Sequence, residues 1–422
     1  MGKYLIKESP ALKGTVKIGG SKNAVLPIMA AALLCDEKCV IHDVPDLTDV
    51  YIMGKLLEGT GASVRWDFAS ETIDINARKL DEIEVSYDYA SKMRASFLLM
   101  GPLLARKGKA RMPLPGGCAI GARPIDLHLK GFAALGANIL QERGFVEAEC
   151  PKGSCLTGAT IYLDYPSVGA TENIMMAAVL AEGQTILQNC AVEPEIVDLS
   201  NFLSSLGAEI RGAGTDTIRI SGVKELSGAD HCIIPDRIEA GTFMLAAAAT
   251  RGNVLIQNIV VDHLRPIIAK LKEIGVVADE TDSGIRIKAD GQIKPTDIKT
   301  LPYPGFPTDM QAQFMGALVC ANGMSIVTET IFENRFMHVG ELSRMGADIK
   351  IESRSAIIEG VKKLTGTQVK ATDLRAGAAL VIASLSASDL TEISGIEHIE
   401  RGYCNLDAKL KSLGARIVKV ED

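Results

Sequence analysis

A chain of 422 residues has room for two large domains or three ordinary ones. With 47% hydrophobic and 23% charged residues, it reads as globular rather than disordered. A net charge of −7 and only 5% aromatics argue against a phosphate-neutralising or base-stacking nucleic-acid binder. An anionic ligand must then be met by a local cluster of Lys and Arg.

The opening residues, Met1–Glu8, contain no apolar run of signal-peptide length. The most apolar stretches, such as 376–385, are far too short to span a membrane. Nine cysteines are scattered without a C-x-x-C pair, and none has His partners at metal spacing. The expectation is a cytoplasmic protein with reduced thiols, no metal, no cofactor, no nucleic-acid partner and no membrane insertion. Cysteines other than Cys118 read as small apolar core residues.

The chain repeats itself. A helix-ending glycine recurs at Gly61, Gly136, Gly207, Gly275, Gly346 and Gly414, with gaps of 75, 71, 68, 71 and 68 residues. Each unit of about 70 residues opens on a small, apolar helix: 23–34, 93–105, 171–181, 239–249, 310–321 and 374–385. A β-rich stretch follows, such as 184–189 or 324–329, and then an amphipathic helix. The apolar positions Ile196, Leu199, Leu203 and Leu206 mark one of these. The glycine stands at C′, where φ > 0 is wanted, and a short strand pair closes the unit. The pattern predicts an α/β fold of six strand–helix–strand–helix–strand–strand repeats, with the first helices buried and three repeats to a domain. A solenoid is the alternative, but no polar capping units support it.

The starts of the first helices carry capping residues: Ser21, Ser91, Asp236, Thr308 and Thr372. Thr308 with Gln311, and Asp236 with Glu239, have capping-box spacing. Lys22, Asn23, Arg94 and Arg375 lie at these starts, where free N–H groups already favour anions, and Arg401 precedes a later helix. Singly, each cation reads as a solvated surface charge; at equivalent places in a repeat they suggest an anion site. Asp309 is an acid among these bases, either a favourable first-turn charge or a general base facing a hydroxyl. The stretch Leu114–Pro124, rich in Gly and Pro, must be a loop. It holds Cys118 and Arg123, a thiol with a cation close enough in sequence to acidify it, although an incidental surface cysteine fits the composition as well.

These pieces resemble the bacterial UDP-N-acetylglucosamine enolpyruvyl transferases, essentially end to end. The matching motifs are Gly20-Ser21-Lys22-Asn23-Ala24, Lys92-Met93-Arg94-Ala95-Ser96, the Cys118 loop and Ser167-Val168-Gly169-Ala170-Thr171-Glu172-Asn173. They continue with Pro307-Thr308-Asp309-Met310-Gln311-Ala312-Gln313, Glu333-Asn334-Arg335-Phe336, Thr372-Asp373-Leu374-Arg375 and Glu400-Arg401-Gly402-Tyr403. The Cys118 loop is the most specific of these, because the sister enzymes acting on shikimate 3-phosphate share the fold but lack it.

The resemblance implies a two-domain inverse α/β barrel of six βαβαββ repeats, divided as 22–230 and 1–21 plus 231–422, with the active site in the interdomain cleft. It implies phosphoenolpyruvate and UDP-N-acetylglucosamine as substrates, without a cofactor. Cys118 would donate a proton to C3 of phosphoenolpyruvate, or form a covalent adduct with it, and Asp309 would take the acceptor's proton. Lys22, Asn23, Cys118, Arg123, Arg375 and Arg401 would hold phosphoenolpyruvate. Asn23, Arg94, Arg123, Pro124, Ile125, Asp126, Leu127, Ser167, Val168, Gly169, Asp309 and Ile331 would line the UDP-sugar site. Some members carry Lys where this chain has Tyr165, which removes a phosphate contact. The thiol implies alkylation by fosfomycin. Two alternatives stand beside this reading: shikimate 3-phosphate as the acceptor, and a non-catalytic UDP-sugar-binding paralogue. Oligomeric state is not read from the sequence.

Overall fold

A helix that is apolar on every face must be covered on every face, and the architecture answers that need. In the computed structural model, which describes residues 2–114, 121 and 124–421, the chain divides into two units. One comprises residues 20–114 and 124–234, the other residues 2–19, 121 and 235–421. Among the described residues there are five four-stranded sheets and one three-stranded sheet, three to each unit. No helix among them is long and apolar enough to cross a membrane.

In the unit of residues 20–234 the strands Asp230–Cys232, Lys38–His42, Thr72–Asn76 and Ser63–Asp67 lie side by side, the first two parallel and the rest antiparallel. Thr160–Tyr162, Gln184–Gln188, Thr217–Ser221 and Glu209–Arg211 repeat that order. The middle repeat has Lys109–Pro113, Phe145–Glu149 and Asn138–Glu142, and its leading strand shrinks to a bridge from Glu84 to Arg111. Helices Lys22–Ala31, Met100–Lys107 and Val168–Ala178 are its apolar set, with most of their residues buried and the last turn of Met100–Lys107 reaching the surface.

The other unit follows the same plan around Arg237–Ala249, Gln311–Leu318 and Leu374–Ser386. The strand Lys13–Lys17 opens its first sheet, parallel to Asn253–Gln257. Lys3–Lys7 fills the middle of its last sheet, antiparallel to both Leu390–Ser394 and Arg416–Val420. The sixth repeat therefore takes one strand of its closing pair from the start of the chain.

The six C′ glycines have φ between +93° and +105°, the conformation their position requires. Ile196, Leu199, Leu203 and Leu206 are all buried, as the amphipathic spacing predicts. The caps depart from expectation. Asp236 accepts from the N–H groups of Ile238 and Glu239, but Ser21 makes no side-chain cap bond. Ser91 ends the short helix Tyr87–Ala90, and the next helical stretch starts as a 3₁₀ turn after Met93. Thr308 lies inside a 3₁₀ turn whose cap is Pro307, and at the sixth start the cap is Asp373 rather than Thr372. The Asp236 box is half made, its side chain accepting from Glu239 N, and the Thr308 box is not made because the start there is capped at Pro307. Glu239 accepts from Gly19 N and from Lys409, and Gln311 reaches Met315 Sδ. Cys155, in the irregular stretch after Phe145–Glu149, and Cys232, in the edge strand Asp230–Cys232, are exposed rather than core, and Cys320 and Cys404 are only half-buried.

Two helix crossings set how closely the buried layers approach. A Cβ on Gly101 would stand 2.4 Å from the carbonyl oxygen of Asn173, and one on Gly316 would stand 2.5 Å from that of Ala379. Neither backbone has room for even a methyl group. Gly316→Ala should therefore destabilise the chain by roughly 2–3 kcal/mol through overpacking. Gly346→Ala, at a C′ position with open space around it, should cost about 1–2 kcal/mol through its positive φ alone. Thermal midpoints of the two variants check the order; a milder effect at Gly316 would contradict the packing account.

Candidate active site

In the unit of residues 235–421 the site is built on two helix starts. The 3₁₀ turn Thr308–Met310 leads into Gln311–Leu318, and Asp373 caps Leu374–Ser386. The helix bodies carry apolar side chains, so their polar residues gather at these starts. Asp309 Oδ1 accepts from Arg335 Nη2 at 2.6 Å, and Oδ2 accepts from Arg375 Nη2 at 2.8 Å. Both arginine side chains are 5% exposed, while the aspartate side chain keeps 26%. Burial alone would push the Asp309 carboxyl up, but the two guanidiniums, Arg375 foremost, outweigh it and hold the group well below the usual carboxylate range. For Arg375, burial opposes the charge and Asp309 more than restores it, so its pKa is raised.

Tyr403 supports this pair from behind. Its hydroxyl accepts from Arg375 Nη1 (3.3 Å) and Gln313 Nε2 (3.1 Å), and it lies 2.9 Å from Thr242 Oγ1. The Gln313 amide also donates to the Asp309 carbonyl at 2.7 Å. A Cβ on Gly402 would come within 2.6 Å of Leu374, so the Arg401-Gly402-Tyr403 turn lies flat on the helix start beside Arg375. Arg401 is half-buried in that turn. Ile331 is half-buried after the strand Met324–Thr328, and its N–H donates to Glu329.

In the unit of residues 20–234, Lys22 is the first residue of its helix, and its Nζ lies 2.6 Å from Asp49 Oδ2. Asp49 is buried, so the ion pair fixes where the ammonium points. Asn23, next along, is exposed. Arg94 Nη2 donates to the Pro124 carbonyl at 3.4 Å. Ile125 caps the helix Asp126–Ala134, Asp126 is exposed in its first turn, and Leu127 is half-buried. Ser167, Val168 and Gly169 form another helix start, where Ser167 Oγ accepts from Ala170 N. A Cβ on Gly169 would touch His128 Cε1 at 3.3 Å. Asn173 Oδ1 accepts from Gly101 N, so its amide nitrogen faces His128 Nδ1 at 3.1 Å and places the ring proton on Nε2. Burial, and then the Arg94 charge, depress the His128 pKa to about 3, so the ring is neutral near pH 7. Cys118 and Arg123 lie outside the described residues.

Asp309 and Arg375 are thus in direct contact, and Arg94 meets Pro124. Arg335, Tyr403, Glu329, Asp49 and His128 had no role assigned from sequence. Arg335 and Tyr403 stand inside the matched motifs Glu-Asn-Arg-Phe and Glu-Arg-Gly-Tyr, which was their signal. Asp49 shows only as an acid among the apolar residues of its helix, 48–59. Glu329 and His128 carry no local mark.

The family description EPSP synthase (3-phosphoshikimate 1-carboxyvinyltransferase) matches residues 6–410. A relative from Caldanaerobacter subterraneus subsp. tengcongensis, named UDP-N-acetylglucosamine 1-carboxyvinyltransferase 1, is 60% identical over 99% of both chains. One from Carboxydothermus hydrogenoformans, named UDP-N-acetylglucosamine 1-carboxyvinyltransferase 2, is 59% identical over the full length of both. Among solved structures, the enolpyruvyl transferase NikO from Streptomyces tendae superposes with a TM-score of 0.89 at 25% identity over 99% of each chain. EPSP synthase from Acinetobacter baumannii shares the fold, with a TM-score of 0.78 at 19% identity over the whole of both chains. The chain belongs to the EPSP synthase family and groups within it with the UDP-N-acetylglucosamine 1-carboxyvinyltransferases.

Proposed function

We propose that this chain transfers the enolpyruvyl group of phosphoenolpyruvate to the 3′-hydroxyl of UDP-N-acetylglucosamine, releasing phosphate, as the first committed step of peptidoglycan synthesis. The observation that carries the chemistry is the Asp309 carboxylate held between Arg335 and Arg375 at the head of a buried helix. The names of the full-length relatives support the acceptor.

The reaction needs one proton delivered to carbon and one removed from oxygen. The Cys118 thiol gives its proton to C3 of phosphoenolpyruvate, and the cation that develops at C2 takes the acceptor oxygen. Asp309 receives the hydroxyl proton as the C2–O bond forms. A carboxylate held so far below its usual range is a weak base toward a resting hydroxyl. It becomes competent only as bonding to C2 acidifies that hydroxyl, which ties proton removal to the addition step. In the second half the thiolate recovers a proton from C3, phosphate leaves C2, and the enol ether remains. Lys22, Asn23, Arg123, Arg375 and Arg401 hold the phosphate and carboxylate of phosphoenolpyruvate, because the charge that builds sits on oxygens preorganised cations stabilise. Asn23, Arg94, Arg123–Leu127, Ser167–Gly169, Asp309 and Ile331 hold the UDP-sugar. The reading assigns the enzyme to the cytoplasm, in keeping with eight free cysteines among the described residues.

Phosphate release from phosphoenolpyruvate should require UDP-N-acetylglucosamine, give nothing with shikimate 3-phosphate, and fall at least a thousand-fold in Cys118→Ala, a loss of about 4 kcal/mol in transition-state stabilisation. Release without the UDP-sugar would overturn the acceptor assignment. Fosfomycin should inactivate the enzyme by adding its mass to Cys118, as seen by mass spectrometry of the intact chain; full activity after long exposure would count against a reactive thiol. The acid limb of the kcat–pH profile should lie below about pH 4, the ordinary aspartate range. Removing one positive neighbour raises the Asp309 pKa, so Arg335→Gln should move that limb upward, and an unmoved limb would separate Asp309 from proton removal.

A further inference from the structure

We propose that Glu329 is a positioning residue for the transfer, binding the Ile331 segment and the Asp309 carboxylate into one hydrogen-bonded frame. This rests on the enolpyruvyl transfer reading, because it gives Ile331 and Asp309 one substrate to serve.

Glu329 follows the strand Met324–Thr328 and is 1% exposed. Its Oε1 accepts from Thr300 Oγ1 (2.9 Å) and from the backbone N–H groups of Ile331 (2.8 Å) and Phe332 (3.2 Å). Its Oε2 accepts from Thr308 Oγ1 at 2.8 Å. The direction of that last bond is forced. Arg335 Nη1 lies 2.8 Å from the same hydroxyl and can only donate, so the Thr308 hydrogen is committed to Glu329. Arg335 Nη2 continues to Asp309 Oδ1 at 2.6 Å. One unbroken path therefore runs Glu329–Thr308–Arg335–Asp309, and a second runs from Glu329 to the backbone at Ile331.

The frame closes on itself. The Arg335 guanidinium lies 5.2 Å from the centroid of the Phe332 ring, in the segment Glu329 holds from its other oxygen. Thr300, the further donor to Glu329, also bonds Thr330 through its hydroxyl (2.9 Å) and its carbonyl (2.5 Å). The Glu329 side chain accepts four bonds from buried or half-buried donors. A glutamine has one accepting oxygen and would aim an N–H₂ at a donor, so no other natural side chain of this length serves both branches. Acceptor binding at Ile331 and acceptor activation at Asp309 thus depend on a residue that touches no substrate.

The test uses the full chain with Thr308→Val, Thr308→Ser and Glu329→Gln. Phosphate release gives kcat, and calorimetry without phosphoenolpyruvate gives UDP-N-acetylglucosamine affinity. Thr308→Val cuts only the Asp309 branch: kcat should fall ten-fold or more, with affinity within two-fold. Thr308→Ser keeps the hydroxyl and should recover kcat to within two-fold. Glu329→Gln touches both branches and should lower kcat ten-fold and affinity five-fold; should it fail to fold, the Thr308 pair decides alone. An active wild type in which Thr308→Val leaves kcat intact, weakens affinity as much as kcat, or is not rescued by serine overturns this inference only. A wild type that neither binds UDP-N-acetylglucosamine nor releases phosphate overturns the functional reading itself, and this inference with it.

Discussion

The constraint on which the molecule depends is that its central helices have no wet side. Gln311–Leu318 and Leu374–Ser386 approach until backbone meets backbone at Gly316 and Ala379, and Met100–Lys107 and Val168–Ala178 do the same at Gly101 and Asn173. Such helices have no lateral face to offer a ligand. Whatever polar chemistry they carry is displaced to their starts, where the first N–H groups lack intrahelical partners. That is why Lys22, Ser167, Asp309 and Arg375 all occur within the first turn of a buried helix or just before it.

A charge in such a place must be matched, and the matching determines its behaviour. Arg375 is buried, with Asp309 and the Tyr403 hydroxyl as its partners. Lys22 is oriented by buried Asp49. An unpaired guanidinium or ammonium there would be costly, so each pair is a condition of folding as well as a feature of the site. The same pairing keeps Asp309 ionised, with its carboxyl well below the usual range, as the proposed proton acceptor requires.

Much of the fold was legible in the sequence, since the repeat spacing and the C′ glycines each reflect a local backbone requirement. The caps were less legible. Ser, Thr and Asp at a helix start look alike along the chain, but Thr308 spends its hydroxyl on Glu329, and the sixth start is capped by Asp373. The spacing also carries no sign that Lys3–Lys7 enters a sheet with Arg416–Val420, because strand pairing is set by the closing sheet and not by either strand alone. In the site, residues with charge at a repeat-equivalent position could be picked out. Arg335 was marked only by its motif, not by its bond to Asp309 26 positions away, and Glu329, reaching both Ile331 and Thr308, by nothing local, since spacing does not set those contacts.

The placement of Lys3–Lys7 has a consequence during synthesis. It is an inner strand, flanked on both sides, and one flanking strand begins 409 residues after it ends. At about 5–20 residues per second, a ribosome takes roughly 20–80 s to supply that partner. Until then the unit's last sheet lacks an edge, and an apolar segment bearing Tyr4 and Ile6, both buried in the finished protein, stays uncovered. The other unit closes on Asp230–Cys232 and has all of its strands long before. While that interval lasts, the nascent chain carries one unit with all of its strands and another still waiting for Arg416–Val420, and its exposure to chaperones is concentrated there.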